Sequence, residues 1–456
     1  LTTFNTIQAV YFLGIGGIGM SALARYFHKS GKLVSGYDRT STPLTKEMQA
    51  EGIDIHFNDA VSAIPAHVLS LPKEQVLVVI TPAIPADHTE LAFFKQEGFT
   101  LVKRAEVLGI ITRGTTGIGI AGTHGKTTTS AITSHLLEAG GKNPAAFVGG
   151  IMANYGTNFL PGTGGIAVME ADEFDRSFLK LSPTVAVITA MDPDHLDIYG
   201  SEDEFRAGFL AYASKLLPGG TLIIHDSLRR FFEGYAYLSY GMQPAADVRI
   251  VNIRVENGRF VFDLEGRIQL KNLKLGMPGR HNVQNATAAI MAAHFAGLEL
   301  EQMATGIESF KGVKRRFEFM AQTASKVYID DYAHHPGELD ACISAARELF
   351  PGKRIFGAFQ PHLFSRTRDF AEGFSKSLGA LDKLYLLPIY PARELPIPGV
   401  NSEMLLGQIS GEAELVQKAD LVNAVSADMG EFDVFLTMGA GDIDQLTDEL
   451  KNLFVS

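Results

Sequence analysis

The chain has 456 residues, of which 46% are hydrophobic and 20% charged, a globular balance too long for one ordinary core and fitting roughly two to four domains. Its 40 basic and 51 acidic side chains leave a formal net charge of -11, which argues against broad nucleic-acid binding because that needs a basic face, and leaves room for a local basic pocket for a small anion. No apolar run approaches the roughly 20 residues of a membrane span, LTTFNTIQAVYFLG lacks a signal-peptide pattern, and the single cysteine excludes an internal disulfide and fits a reducing compartment. The expectation is a cytoplasmic protein with no nucleic-acid partner and no membrane insertion.

In chain order, the first segment alternates strands and helices. Ala9–Leu13 is an apolar strand ending in GIGGIGM, and the helical pattern SALARYFHKSG ends at Gly31. LVSGYD is the next strand and Gln75–Ile80 the third, with the breakers TPAIP behind it. Strand, helix, strand at these lengths implies a parallel sheet. A second unit opens near Gly114 with the glycine-broken strand GTTGIGIAG and the helix TTSAITSHLLEAG. Buried strands follow at Ile166–Met169, Val185–Thr189 and Thr221–Ile224. VRIVNIRVENGRFVFDLEG alternates with period two around Asn257-Gly258, a hairpin signal, before PGRHNVQNATAAIMAAHFAG resumes a helix. A third unit starts near Lys314 to Arg316, with strands at Lys326–Ile329, Arg354–Phe359, Leu384–Ile389 and Val434–Thr437. Cys342, in LDACISAARELF, reads as a small buried helix residue.

Two glycine-rich loops each follow a strand and open a helix. In Gly14-Ile15-Gly16-Gly17-Ile18-Gly19 the glycines let backbone approach a diphosphate, whose charge meets helix N-terminal amides. Asp38 ends the next strand, where a carboxylate can accept from ribose hydroxyls. Alone, this loop fits the dinucleotide of a NAD-dependent dehydrogenase as well as another nucleotide diphosphate. The second loop, Gly122-Thr123-His124-Gly125-Lys126-Thr127-Thr128-Thr129, departs from the strict phosphate-loop pattern because Ile120 holds the first glycine position. It still supplies amide donors, a lysine for the β- and γ-phosphates of ATP and a hydroxyl for Mg2+. His124 has two readings, contact with substrate or phosphate and simple packing in the turn.

Such a loop needs acidic support for its metal. Glu170 ends an apolar strand of the same unit, and His195 follows the next one in DPDHLD. Together they can hold two Mg2+ ions with Thr127, one for each side of the transferring group. Asp172, Glu173, Asp175 and Asp197 read mostly as solvated charges or helix caps.

GTHGKTTT, EADEFDRSF, DPDHLD, PGRHNVQNATAA, DDYAHHPGE and FQPHLFSRT, spread over nearly the whole chain, resemble in content and order the motifs of the Mur ligase family. The resemblance implies an α/β fold of three consecutive domains. These are a Rossmann-like UDP-sugar-binding domain (1–110), a P-loop central ATPase domain with a β insertion (111–314), and a Rossmann-like C-terminal domain for the amino acid and nucleotide (315–456). GIGGIGMSALA and MGAGDI narrow it to members that join L-alanine to UDP-N-acetylmuramate.

On this resemblance the first glycine loop holds the UDP diphosphate and no nicotinamide is used. Lys126 and Thr127 match the phosphate and Mg2+ positions, Glu170 and His195 the metal ligands. His281, Asn282 and Asn285 match a segment near adenine, although two asparagines at a helix start are as often caps. Asp331, with its neighbours Asp330 and His334, and His335 are placed by the nucleotide and the incoming amino acid. Arg316 fits either a phosphate contact or an interdomain ion pair. Arg366 is the preferred ligand of the alanine carboxylate, through a bidentate fork, and Leu363 stands where some members carry arginine. Catalysis would then fall to Lys126, His195, His335 and Arg366. A monomer or weak homodimer is expected. A related ligase that attaches a ready-made peptide to the same sugar and a non-enzymatic nucleotide-binding module are the remaining alternatives.

Overall fold

The computed structural model describes residues 4–193, 196–392 and 394–455. They form two compact units, one of residues 1–251, 264–270 and 285–307, the other of 252–263, 271–284 and 308–456.

The first unit carries two sheets. β1 (Ala9–Leu13), β2 (Leu33–Tyr37), β3 (Asp54–His56), β4 (Val76–Ile80) and β5 (Thr100–Lys103) make a parallel sheet of order β3-β2-β1-β4-β5. β1 is buried at all five positions, as expected of a central parallel strand covered on both faces. Its glycine loop opens the helix Ile18–Lys29.

The second sheet contains β6 (Thr116–Ala121), β7 (Ala145–Met152), β8 (Thr157–Pro161), β9 (Ile166–Glu170), β10 (Val185–Ile188), β11 (Thr221–His225) and β12 (Leu238–Gly241), in the order β12-β11-β10-β6-β9-β7-β8. Only β7 and β8 pair antiparallel among these. β13 (Val248–Glu256) starts on the β12 edge through Tyr240↔Val248. β14 (Arg259–Gly266) and β15 (Leu270–Leu275) complete the excursion, with Asn257 at φ 51 and Gly258 at φ 73 in the hairpin turn.

The two sheets of this unit share one core. The helix Ile18–Lys29 turns Tyr26 edge-on to Phe147 of β7 and Phe159 of β8, at 5.5 and 6.3 Å. Buried Arg25 forks onto Glu51 and bonds Asn158 of β8 at 2.9 Å.

In the second unit, β16 (Glu318–Gln322), β17 (Val327–Asp331), β18 (Ile355–Phe359), β19 (Lys383–Leu386), β20 (Ala413–Leu415) and β21 (Val434–Met438) take the order β16-β17-β21-β18-β19-β20. β16 is antiparallel to β17 and the others are parallel. The carboxyl ends of β17, β18 and β21 therefore bring DDYAHHP, QPH and GAGD to one edge, where open α/β sheets bind ligands. Cys342 is buried in the helix Pro336–Leu349, as its apolar surroundings imply, and burial pushes its thiol up. Among the described residues no helix is long and apolar enough to cross a membrane.

Candidate active site

β6 ends in Ala121, and the chain turns through 122–125 into the helix Lys126–Ala139. Gly125 caps that helix in the left-handed region, φ 81, and a Cβ there would lie 2.4 Å from Asn285 Oδ1. We therefore expect Gly125→Ala to cost about 1 kcal/mol or more from the backbone alone, and to weaken ATP binding by moving the loop amides. Thermal unfolding and ATP calorimetry check this, and unchanged values in both would show a loop tolerant of a side chain.

The first turn of the helix meets the carboxyl end of β9. Thr127 Oγ1 donates to Glu170 at 3.0 and 3.1 Å, and the Gly149 amide donates to Glu170 Oε2 at 2.7 Å. Lys126 Nζ donates to the Gly122 carbonyl at 2.6 Å and to Glu173 Oε1 at 2.7 Å, with the Thr123 carbonyl at 3.4 Å. Burial by itself would draw the Lys126 ammonium down, but Glu173, Asp172 and Glu170 outweigh it and hold it above its ordinary range. Glu173 is 2% exposed, which corrects its reading as a solvated charge. A buried carboxylate on the loop lysine is a tertiary pairing 47 residues apart in sequence.

Thr123 Oγ1 donates to the Asp192 carbonyl at 2.8 Å, and His124 Nε2 lies 4.0 Å from Asp192 Oδ2. The His124 carbonyl accepts from Thr189. Thr128 is buried inside the helix start. Asn285 reaches this site, with Thr129 Oγ1 at 3.4 Å from its Oδ1. His195 lies outside the described residues, as do the side chains of Asp175 and Asp197.

In the first glycine loop, the Gly16 amide donates to Asp38 Oδ2 at 2.7 Å and the Thr40 amide to Oδ1 at 3.2 Å. Asp38 thus pins the loop from the end of β2. The ribose role expected of it would have to share these oxygens.

The second unit gathers the remaining predicted residues, His281, Asn282, Arg316, Asp331, His335 and Arg366. Asp330 is buried and spent on structure, accepting from Arg315 at 2.9 Å and Thr437 at 2.7 Å. Asp331 accepts amides of Phe317 and Ala333, both at 2.7 Å, and burial pushes it up to about 6 against the pull of Arg316. Arg316 lies over the Tyr332 ring at 5.3 Å and 4.0 Å from Glu338. Within this unit it therefore has an acid partner of its own.

Burial, with Arg316 adding, lowers His281 to about 4, so its ring is neutral. Asn282 Nδ2 donates to the Pro278 carbonyl at 2.6 Å, tying the first turn of the helix Arg280–Phe295 to the segment before it. His335 caps the helix Pro336–Leu349 through Nδ1 and sets its ring edge-on to Phe370 at 4.6 Å. His334 lies 3.2 Å from Glu338. Arg366 Nη1 is 3.5 Å from His362 Nδ1, on the short helix Phe364–Asp369. Leu363, ahead of that helix, has φ 70, a strained value for a branched side chain, and its amide donates to the Tyr390 carbonyl at 2.9 Å.

Glycine loop, lysine, hydroxyl and acidic strand end together define a P-loop α/β protein. Three family profiles match along the chain: "Mur ligase family, catalytic domain" at 9–116, "Mur ligase middle domain" at 120–293 and "Mur ligase, glutamate ligase domain" at 315–441. The UDP-N-acetylmuramate–L-alanine ligase of Cytophaga hutchinsonii is 49% identical over 98% of this chain and 97% of its own, and that of Flavobacterium johnsoniae is 47% identical over 98% of each. The crystal structure of the UDP-N-acetylmuramate–alanine ligase of Thermotoga maritima superposes with a TM-score of 0.82 at 27% identity, covering 97% of this chain and 98% of that one. The chain belongs to the Mur ligase family.

Proposed function

We infer that this protein joins L-alanine to the lactyl carboxylate of UDP-N-acetylmuramate at the expense of ATP, a step of peptidoglycan precursor synthesis in the cytoplasm. The observation that carries this reading is 49% identity, nearly end to end, to a ligase of that name. The loop that meets Glu170 and Glu173 supplies the chemistry such a reaction needs.

A carboxylate is a poor electrophile. Its oxygen attacks the γ-phosphorus of ATP and ADP leaves, giving an acyl phosphate. The amine of L-alanine, having lost a proton, attacks the carbonyl carbon, and the tetrahedral adduct breaks the carbon–oxygen bond to phosphate. Lys126 is tethered between Gly122 and Glu173, which supports its role in offsetting charge on the transferring phosphoryl group. The amides of 122–128 cradle the other phosphates.

Thr127 and Glu170, hard oxygen donors already in contact, fit Mg2+, which takes few protein ligands and keeps waters and phosphate oxygens. With His195 they would hold it, two ions in all, and it supplies charge neutralisation when bound. Asn285, with His281, Asn282, Arg316 and Asp331, is assigned to the nucleotide, and His335 and Arg366 to the amino acid. Residues 14–19 and Asp38 are assigned to the UDP-sugar. Domain limits at 110 and 314 and a monomer or weak dimer complete the proposal.

Phosphate release with ATP, UDP-N-acetylmuramate and L-alanine tests it, omitting each in turn and replacing L-alanine with a tripeptide. Release that ignores the sugar or the amino acid would sink the ligase reading. Preference for the tripeptide would move the activity to a peptide-attaching ligase.

A further inference from the structure

Arg104 opens the helix Arg104–Arg113 immediately after β5, on the edge of the first sheet that carries the glycine loop. Its guanidinium lies against Gly19, where a Cβ would sit 1.9 Å from Nη1 and 2.8 Å from Cζ. That is the first turn of the helix Ile18–Lys29, whose cap, Gly17, offers no side-chain hydrogen bond. A cation against a helix N-terminus opposes the helix dipole, a cost that a nearby anion offsets. Among the described residues the acid partner of Arg104 is Asp172, at 3.7 Å. That exceeds the roughly 2.7–2.9 Å of a charge-assisted hydrogen bond.

Arg25, on the helix that Arg104 abuts, shows what a spent arginine looks like here. It forks onto Glu51 at 2.7 to 3.0 Å and takes Asn158 as well, with its side chain 5% exposed. The Arg104 side chain is 25% exposed and, among the described residues, has only the 3.7 Å contact with Asp172 as an ion pair. Asp172 belongs to the same strand-end segment as Glu170 and Glu173, the partners of Thr127 and Lys126. The guanidinium therefore stands between the glycine loop and the acidic end of β9, both within one compact unit.

We propose that Arg104 binds an anionic oxygen of the nucleotide sugar, exchanging its loose contact with Asp172 for a charged hydrogen bond to that substrate. This rests on the ligase reading above. The ligand chemistry is a phosphate or carboxylate oxygen, and the substrate offers both, in its diphosphate and its lactyl group.

Calorimetry on the full chain tests the assignment with UDP-N-acetylmuramate, UDP-N-acetylglucosamine (which lacks the lactyl carboxylate) and a non-hydrolysable ATP analogue. Arg104→Gln is expected to weaken UDP-N-acetylmuramate at least about tenfold, the scale of one charged hydrogen bond. Affinity for the ATP analogue and the melting temperature should stay unchanged, and Arg104→Lys should recover part of the loss. An equal loss for UDP-N-acetylglucosamine assigns Arg104 to the diphosphate, and a loss confined to the muramate assigns it to the carboxylate. Asp172→Asn should leave sugar affinity equal or higher. Unchanged sugar affinity in Arg104→Gln overturns the proposal, as does a matching loss in Asp172→Asn, which would make the pair structural. If the wild-type protein binds neither sugar nucleotide, the ligase reading falls and this inference with it.

Discussion

Lys126→Ala is expected to abolish amide formation, with kcat lower by at least about 10^2 to 10^3, the scale of one preorganised electrostatic contact at a transition state. The ammonium is tied to Gly122 and Glu173 and kept charged by neighbouring carboxylates, so no other described cation of the loop replaces it. The same substitution has a second consequence. Glu173 is 2% exposed and its Oε2 has no hydrogen-bond partner among the described residues, so losing Lys126 leaves a buried carboxylate uncompensated. Breaking a buried pair from one side costs about 3 to 5 kcal/mol. Lys126→Ala should therefore melt early, while Lys126→Ala with Glu173→Gln should recover most of the stability and none of the turnover. Rates of phosphate release and denaturation midpoints, read side by side, separate the two effects. Near-normal turnover in either variant would remove Lys126 from the mechanism.

Glu170→Gln carries the second large effect. An amide there preserves an oxygen for Thr127 and Gly149 but removes the negative charge that Mg2+, on the function proposed above, would draw on. The Mg2+ concentration giving half-maximal activity should rise at least about tenfold, and kcat at ordinary Mg2+ should fall by about 10^2. Melting temperature without metal should hold, because the hydrogen-bonding frame is intact. A Mg2+ titration that superposes on the wild type would exclude Glu170 as a metal ligand.

Both effects concern residues already visible as a motif, yet their partners were not. GTHGKTTT and the carboxylate ending β9 could be read from the chain because a phosphate loop needs consecutive residue types between a strand and a helix. Glu173 was read as solvated because nothing local distinguishes a buried acid from an exposed one. It opens the short helix Phe174–Lys180, which packs on the helices Arg104–Arg113 and Glu202–Ala213, and Tyr199 donates to the Glu173 carbonyl. Arg104 carried no signal at all, since it lies 85 residues from the glycine it abuts.

Strands followed the same division. Period and apolar runs located β1, β2, β4, β6, β9, β10, β11 and the hairpin at Asn257-Gly258 within a few residues. β3 and β20 have three residues each, β7 contains Gly149 and Gly150, and edge strand β5 shows only partly covered side chains, so none has a pattern strong enough to read. Sequence also suggested a separate first domain, and a family profile of its own matches it at 9–116, but nothing local showed that Tyr26 and Arg25 of that segment would pack against β7 and β8.

By itself, then, the sequence determined the α/β class, the two phosphate-type loops and the family, because each depends on contiguous residues or on motif order. Tertiary structure alone decided that Lys126 is neutralised by Glu173, that Asp38 holds Gly16, and that Arg104 stands beside the first loop. Those are contacts made across strand ends, and only the folding of parallel sheets brings strand ends to a common edge.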